Sequence, residues 1–106
     1  MEIPLKQLMI NGVRTPVRDT GTDESEAIMF MHGNPGSGND WTATMQALGG
    51  SARAIAPDMP GFGTADKPAD FDYTVDGYAN HIEALLAALQ IERVHLVLHD
   101  FGGPWG

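Results

Sequence analysis

The alternation of apolar and polar residues near the start of the chain predicts a β-hairpin. Two stretches, Leu5–Ile10 and Val13–Asp19, flank the dipeptide Asn11-Gly12, which tolerates the positive φ angles of a two-residue hairpin turn. Farther along, short apolar runs bounded by turn residues predict three buried strands, at residues 27–31, 52–56 and 94–98.

Between these strands, apolar residues recur with the spacing of helices. Trp41, Met45 and Leu48 fall at positions i, i+4 and i+7, so they share one face of a short helix, which we interpret as core rather than as a cofactor site. Thr74 can cap a second helix, and His81 lies off the apolar face of that helix. This face comprises Val75, Tyr78, Ala79, Ile82, Leu85, Leu86 and Leu89.

The order of these elements predicts the fold class. A hairpin followed by strands that alternate with helices is typical of an α/β protein with right-handed crossovers, in which a mostly parallel sheet carries helices on both faces. Ligands of such folds bind beyond the carboxyl ends of the strands. The glycine-rich loop at residues 32–39 and the turn at residue 100 both follow strands, so we expect them to face the same crevice.

Asp100 follows the last strand in a turn of small residues and is the main candidate for chemistry. A sharp strand-to-helix turn exposes one side chain above the sheet edge and is called a nucleophile elbow. Serine hydrolases have small residues on both sides of the nucleophile. Here Gly102 keeps the downstream one, Leu98 replaces the upstream one, and Asp100 stands where serine would be. We therefore interpret Asp100 as a carboxylate nucleophile, with a simple helix cap as the alternative.

Composition and charge argue against several other functions. The 106 residues suffice for one domain at most, and a net charge of −8 without a basic stripe argues against nucleic-acid or anionic-membrane partners. The absence of cysteine excludes disulfides and thiolate chemistry. His95 lies in a predicted strand, four positions before His99, and a strand does not bring residues at that spacing together, so we expect no metal site. We also expect no cofactor. With no signal segment or membrane-spanning stretch, we expect a cytoplasmic protein.

Three motifs, in order along the chain, resemble the early motifs of the α/β-hydrolase superfamily. They are His32-Gly33-Asn34-Pro35, Asp58-Met59-Pro60-Gly61-Phe62-Gly63 with Asp66-Lys67-Pro68, and His99-Asp100-Phe101-Gly102-Gly103. Within that superfamily they look most like the aspartate-nucleophile branch, which contains haloalkane dehalogenases and epoxide hydrolases. The resemblance covers residues 28–106, and three motifs at compatible spacing make it specific.

The resemblance implies a role for each matching residue. Asp100 matches the aspartate that displaces halide from carbon and forms an alkyl ester, which an activated water then hydrolyses. The backbone N–H groups of Asn34 and Phe101 match the oxyanion hole, and the side chain of Asn34 matches a halide-binding donor. The remaining motif residues match structural positions, and they are His32, Gly33, Pro35, Gly102 and Gly103. The resemblance also implies a small-molecule substrate.

Three departures from these family patterns bear on the substrate. Many haloalkane dehalogenases have a tryptophan after the nucleophile as a second halide donor, whereas Phe101 has no side-chain donor. Many epoxide hydrolases instead have an aromatic residue at the position of Asn34 and a glycine at that of Leu98. We therefore expect a haloalkane-dehalogenase-like enzyme first and an epoxide hydrolase second. A non-catalytic binding protein on a hydrolase scaffold is the alternative from another class.

The order of catalytic groups in this fold sets an expectation about the extent of the chain. The acid and the water-activating histidine of such hydrolases follow the nucleophile, and only six residues follow Asp100. We therefore expect residues 1–106 to be the N-terminal part of a single α/β-hydrolase domain, without the later strands, the cap domain and the rest of the triad. The missing portion, in a longer form or as a second chain, is an expected partner. Alone, the chain is expected to be inactive, with the edge of its last strand unpaired.

Overall fold

The computed structural model of the protein describes residues 3–21, 25–33, 36–48, 52–100 and 102–106. Its strands are β1 (Leu5–Ile10), β2 (Val13–Asp19), β3 (Glu26–Met31), β4 (Ala54–Pro57) and β5 (Arg93–Leu98). Its helices are α1 (Thr42–Leu48), α2 (Val75–Ala88) and α3 (Gly102–Trp105), and a 3₁₀ turn, Gly38–Trp41, precedes α1. No helix within these ranges is long and apolar enough to cross a membrane.

The predicted hairpin is confirmed, with its predicted ends. β1 and β2 pair antiparallel up to Ile10 opposite Val13, so Asn11 and Gly12 form a two-residue turn. The φ angles of Asn11 and Gly12 are 50° and 83°. Both angles are left-handed, as this class of hairpin turn requires, and asparagine and glycine are the residues that tolerate them best.

The five strands form one mixed sheet in the order β1-β2-β4-β3-β5. β3 is parallel to both of its neighbours, β4 and β5, whereas β2 joins β4 antiparallel because it arrives from the hairpin. The chain leaves β3 toward β4 on one side and later returns to β5 on the other, so the strand order reverses at β3. The predicted α/β fold is thus confirmed. A reversal of this kind places a crevice beyond the carboxyl ends of β3 and β5.

Helices cover both faces of the sheet. Alternation along β3 sends Met29 and Met31 to the face covered by α2 and α3, and it sends Phe30 to the face covered by α1. Leu85 of α2 is fully buried against the first face, and Met45 of α1 is fully buried against the second. The core therefore lies in two layers, one on each side of the parallel strands.

The prediction that β5 is a buried strand is wrong. β5 lies at an edge of the sheet, and among the described residues it pairs only with β3. Its apolar residues Leu96, Val97 and Leu98 are 39, 36 and 38% exposed. An unbroken apolar run indicates burial on both faces, but it carries no information about which strand lies alongside.

The helix predicted after Thr74 is confirmed, but its buried face is rotated. Thr74 caps α2 by accepting the N–H of Gly77. Val75 is 48% exposed instead of lying on the apolar face, and His81 is 3% exposed although the pattern places it off that face. His81 faces the hairpin, where its Nε2 lies 3.1 Å from the Oγ1 of Thr15. Burial lowers the pKa of His81 to about 4, so the ring is neutral at pH 7.

A buried ion pair joins the hairpin to the residue before β4. Arg53 Nη2 donates to Asp19 Oδ2 at 2.8 Å, and Lys6 Nζ donates to the same oxygen at 2.9 Å. Asp19 is fully buried and Arg53 is 4% exposed. Burial opposes ionisation of Asp19, but hydrogen bonds from Arg53, the N–H of Gly21 and Lys6 outweigh it and lower the pKa of the carboxyl.

Gly77 lies in the first turn of α2, where alanine is normally the better helix former. A Cβ at this position would collide with the backbone carbonyl of Asp72. We expect Gly77→Ala to destabilise the protein by about 2 kcal/mol in urea unfolding, which is the scale of overpacking. Gly103→Ala in α3 is the matched control, because a Cβ there meets nothing within 4 Å. A Gly77→Ala variant as stable as the Gly103→Ala variant would contradict the collision.

Candidate active site

The carboxyl ends of β3 and β5 lie side by side, and the segments that follow them meet. Met31 is opposite Leu98 in the last register position of this parallel pair. A Cβ added to Gly33 would lie 2.5 Å from the Cβ of Asp100 and 3.0 Å from its Oδ2. Only glycine therefore fits at residue 33 while Asp100 occupies this position. The structure thus brings together two of the residues that the sequence predicts in one crevice.

The turn at Asp100 makes a tight connection between strand and helix. Asp100 has a φ of 55°, in the left-handed region, which costs a non-glycine residue about 1 kcal/mol or more. The N–H of Gly102 donates to the carbonyl of His99 at 2.8 Å, and that of Gly103 donates to the carbonyl of Asp100 at 3.0 Å, so α3 starts directly after the turn. A Cβ at Gly102 would lie 2.9 Å from the carbonyl oxygen of His32. Asp100 is exposed. Its left-handed φ differs from the extended backbone of a helix N-cap, which argues against the alternative that Asp100 is a simple helix cap.

His32 holds the start of the loop that faces Asp100. The residue is fully buried, its Nδ1 lies 2.8 Å from the carbonyl oxygen of Gly33, and its Nε2 accepts the N–H of Met59 at 3.0 Å. Because Nε2 accepts a hydrogen bond, the ring proton is on Nδ1, which donates to Gly33. Burial lowers the pKa of His32 and keeps the ring neutral near pH 7. Both ring nitrogens are engaged by the backbone, so we interpret His32 as structural.

Asp58, from the second motif, holds the far end of the same loop. Its carboxylate is 1% exposed. One carboxylate oxygen accepts the N–H of Gly38 at 2.7 Å and a guanidinium N–H of Arg18 at 3.1 Å, and the other accepts the N–H of Thr64 at 3.0 Å. These contacts join three separate segments around one buried charge. We therefore interpret Asp58 as an anchor of the loop rather than as a reacting group.

Three predicted site residues, Asn34, Pro35 and Phe101, lie outside the described residues. Asn34 follows Gly33 in the chain, and Phe101 follows Asp100, so their neighbours are the two residues that meet at the crevice. The oxyanion-hole and halide-binding roles of Asn34 and Phe101 stay predictions.

An aromatic cluster beside the turn was not indicated by any sequence pattern. Trp105 of α3 stacks on Tyr78 of α2, with ring centroids 4.4 Å apart. Phe62 lies 5.6 Å from Trp105 and 5.0 Å from His32, and His32 lies 5.8 Å from Trp105. These four residues, which we call the aromatic cluster, come from four separate segments, so no local spacing reveals them. The available signal was one large aromatic residue, Trp105, directly after Gly102, Gly103 and Pro104.

His95 and His99 are exposed on β5 and directly after it. His95 Nε2 lies 2.7 Å from Glu26 Oε2, near the amino ends of β3 and β5 and thus away from Asp100. Neither residue packs against an outer strand, because β5 has no outer neighbour within the described ranges. In those same ranges, no three side chains of the metal-ligating types histidine, aspartate and glutamate are placed to hold a metal ion.

Comparison with protein families and with curated proteins gives matches over most of the chain. The family described as alpha/beta hydrolase fold matches residues 26–106. A 2-hydroxymuconate semialdehyde hydrolase from Pseudomonas sp. (strain CF600) is 39% identical over 101 residues, which are 92% of this chain and 35% of that enzyme.

Solved structures of hydrolases share the fold described above. The haloalkane dehalogenase DatA from Agrobacterium tumefaciens C58 has a TM-score of 0.84 and 31% identity, over 97% of this chain and 34% of DatA. The epoxide hydrolase VrEH1 from Vigna radiata has a TM-score of 0.88 and 33% identity, over 99% of this chain and 34% of VrEH1. The chain therefore spans about a third of the length of these relatives. Its sequence match, sheet order and paired turns together show that it belongs to the α/β-hydrolase fold family.

Proposed function

We propose that this chain carries the nucleophile of an α/β-fold hydrolase, and that the nucleophile is the carboxylate of Asp100. The observation that carries the proposal is the backbone of Asp100, which has a φ of 55° between β5 and α3 and packs against Gly33. A strained residue of this kind persists only where its surroundings hold it, and such residues cluster at active sites. In this proposal the turn is a nucleophile elbow, which exposes its side chain beyond the sheet.

The first proposed step is an alkyl transfer to Asp100. A carboxylate oxygen attacks the carbon that carries the leaving group, a carbon–oxygen bond forms, and the carbon–halogen bond breaks as halide leaves with the bonding electron pair. A carboxylate suits this step because it is ionised at neutral pH. The product is an ester, which water can cleave, so the nucleophile is regenerated.

The second proposed step hydrolyses that ester. Water attacks the carbonyl carbon of the Asp100 side chain, and the N–H groups of Asn34 and Phe101 would stabilise the oxyanion that forms there. Collapse expels the alcohol and restores the carboxylate, while the proton lost by water passes to a base. His32 is not free to serve, because both of its ring nitrogens bond to the backbone. We place the base in polypeptide that the longer relatives contain beyond the matched third, in a longer form of this protein or in a second chain.

We propose haloalkanes as the substrate class and epoxides as the second candidate. The side-chain amide of Asn34 offers an N–H donor to a leaving halide. Epoxides stay in consideration because Phe101 offers no second donor, and because the chain is as similar to the epoxide hydrolase VrEH1 as to the dehalogenase DatA. A binding protein on a hydrolase scaffold is the alternative in which Asp100 forms no ester.

Mass spectrometry of the intact chain tests the proposal directly. We expect incubation of the 106-residue chain with 1-bromohexane at pH 7 to add one hexyl group, because His32 is not free to activate water for the second step and the ester therefore accumulates. Peptide fragmentation should place the group on Asp100, with free bromide released in equal amount. Styrene oxide serves as the second reagent, and modification by it alone would favour an epoxide hydrolase.

The exposed carboxylates of Asp70 and Asp76 are internal controls for unspecific alkylation. Modification of Asp100 at the same rate as these two residues would mean that the turn confers no reactivity. No adduct with either reagent, on this chain and on a longer form that contains the proposed base, both with their fold verified by circular dichroism, would favour the binding-protein alternative.

A further inference from the structure

Helix α3 is poor in helix-forming residues. It comprises Gly102, Gly103, Pro104 and Trp105. Glycine and proline are the two weakest helix formers, so intrinsic helix propensity contributes little to the position of α3. Packing therefore has to contribute to that position. Trp105 is the large apolar side chain of this helix, and it is 6% exposed.

Trp105 is packed by Tyr78, His32 and Phe62, which come from three other segments. Its ring stacks on Tyr78 at an interplanar angle of 25°, while Tyr78 is itself fixed by donating its hydroxyl to the carbonyl of Pro60 at 2.8 Å. On another side the ring meets the edge of His32 at 86°. Trp105 thus links α3 to α2 and also to the residue that holds the Gly33 loop.

Helix α3, which Trp105 anchors, follows directly after the strained backbone of Asp100. The turn is closed by hydrogen bonds from the N–H groups of Gly102 and Gly103, which are the first residues of α3. If α3 were free to move, those bonds would open and Asp100 could relax from its left-handed φ. The strain at Asp100 is therefore maintained by whatever anchors α3.

We propose that Trp105 is a positioning residue for Asp100. It anchors α3 on Tyr78 and so keeps the turn closed, and its contact with His32 keeps the Gly33 loop in place against that turn. The importance of Trp105 for reactivity rests on the proposed role of Asp100, whereas its control of the turn can be measured without any reaction.

Two substitutions of Trp105 separate anchoring from general stability. Trp105→Leu removes the stacked ring, and Trp105→Phe keeps an aromatic ring at the same place. Trp41→Phe is the control, because Trp41 packs on Phe30 at the opposite face of the sheet, and its indole N–H has no hydrogen-bond partner among the described residues. Amide hydrogen exchange followed by NMR reports on Gly102 and Gly103 individually, with the amides of β1 and β2 as the reference.

We expect Trp105→Leu to speed exchange at Gly102 and Gly103 by about tenfold or more and to leave β1 and β2 unchanged. At saturating 1-bromohexane the rate of Asp100 alkylation should fall by about tenfold, with little change in the half-saturating concentration. Trp105→Phe should stay within about threefold of the unmodified chain in both measurements. If Trp105→Leu does not fold, Tyr78→Leu, which removes the stacking partner instead, should give the same local increase in exchange.

Three other outcomes of these measurements would count against the proposal that Trp105 positions Asp100. Slow exchange at Gly102 and Gly103 in both leucine variants would overturn it. A uniform rise in exchange over the whole chain, or an equal loss of alkylation in Trp41→Phe, would show that Trp105 is only a core residue. If neither the unmodified chain nor a longer form that contains the proposed base is alkylated, the proposed function fails, and the exchange measurement alone still decides whether Trp105 controls the turn.

Discussion

Replacing Asp100 with asparagine is expected to abolish ester formation with 1-bromohexane while leaving the fold intact. Asparagine has the same shape as aspartate, and it tolerates a left-handed φ, so the turn and its contact with Gly33 should be kept. Its amide carries no negative charge and is a poor nucleophile at neutral pH. Removing a hydrolase nucleophile costs on the order of 10⁴-fold or more in rate, so the adduct should fall below detection.

A matched pair of variants makes this result interpretable. Asp100→Ala also lacks the carboxylate, but alanine is strained at this φ, so it should lower stability in urea as well as reactivity. Asp100→Asn should unfold at the same urea concentration as the unmodified chain. An adduct that persists in Asp100→Asn, on the same peptide and at the same rate, would show that another group is the nucleophile.

The features that could be predicted from sequence depend on residues close together in the chain. The hairpin is specified by the Asn11-Gly12 turn, and the start of α2 is specified by the capping residue Thr74. The meeting of Gly33 and Asp100 was also predictable, because both residues follow parallel strands at the same end of a sheet. In each case a local pattern, combined with one rule of topology, was sufficient.

The features that could not be predicted depend on partners distant in the chain. His81 is buried because α2 packs against the hairpin. There its ring shares a hydrogen bond with the hydroxyl of Thr15, which is 66 residues away in the sequence. The apolar pattern of β5 indicates burial on both faces, yet the exposure of its side chains depends on its place in the sheet, which the pattern does not give. Trp105 meets Tyr78 only after α2 and α3 pack on the same face of the sheet. Pairings of this kind follow from the tertiary fold, which periodicity does not encode.

The burial of His81 beside Thr15 gives the protein a pH dependence that the sequence alone did not indicate. Acidification from pH 7 to pH 4 is expected to lower the free energy of unfolding by about 3 kcal/mol through His81. An unfolded histidine takes up a proton below about pH 6.5, whereas buried His81 does not until about pH 4. Between those values the unfolded state binds more protons, so stability falls as pH falls. His32, whose pKa burial also lowers, acts in the same direction.

Urea unfolding at pH 7 and pH 4, with His81→Gln as the test variant, measures this contribution. Glutamine can hydrogen-bond to the Thr15 hydroxyl but does not titrate, so most of the loss between the two pH values should disappear. His99→Gln is the matched control, because His99 is exposed after β5, and this variant should keep the full loss. A His81→Gln variant with the same pH dependence as the unmodified chain would locate the acid sensitivity elsewhere. About 3 kcal/mol is a large part of the 5–15 kcal/mol that stabilises a typical domain, so the contact between α2 and the hairpin should set the acid limit of the fold.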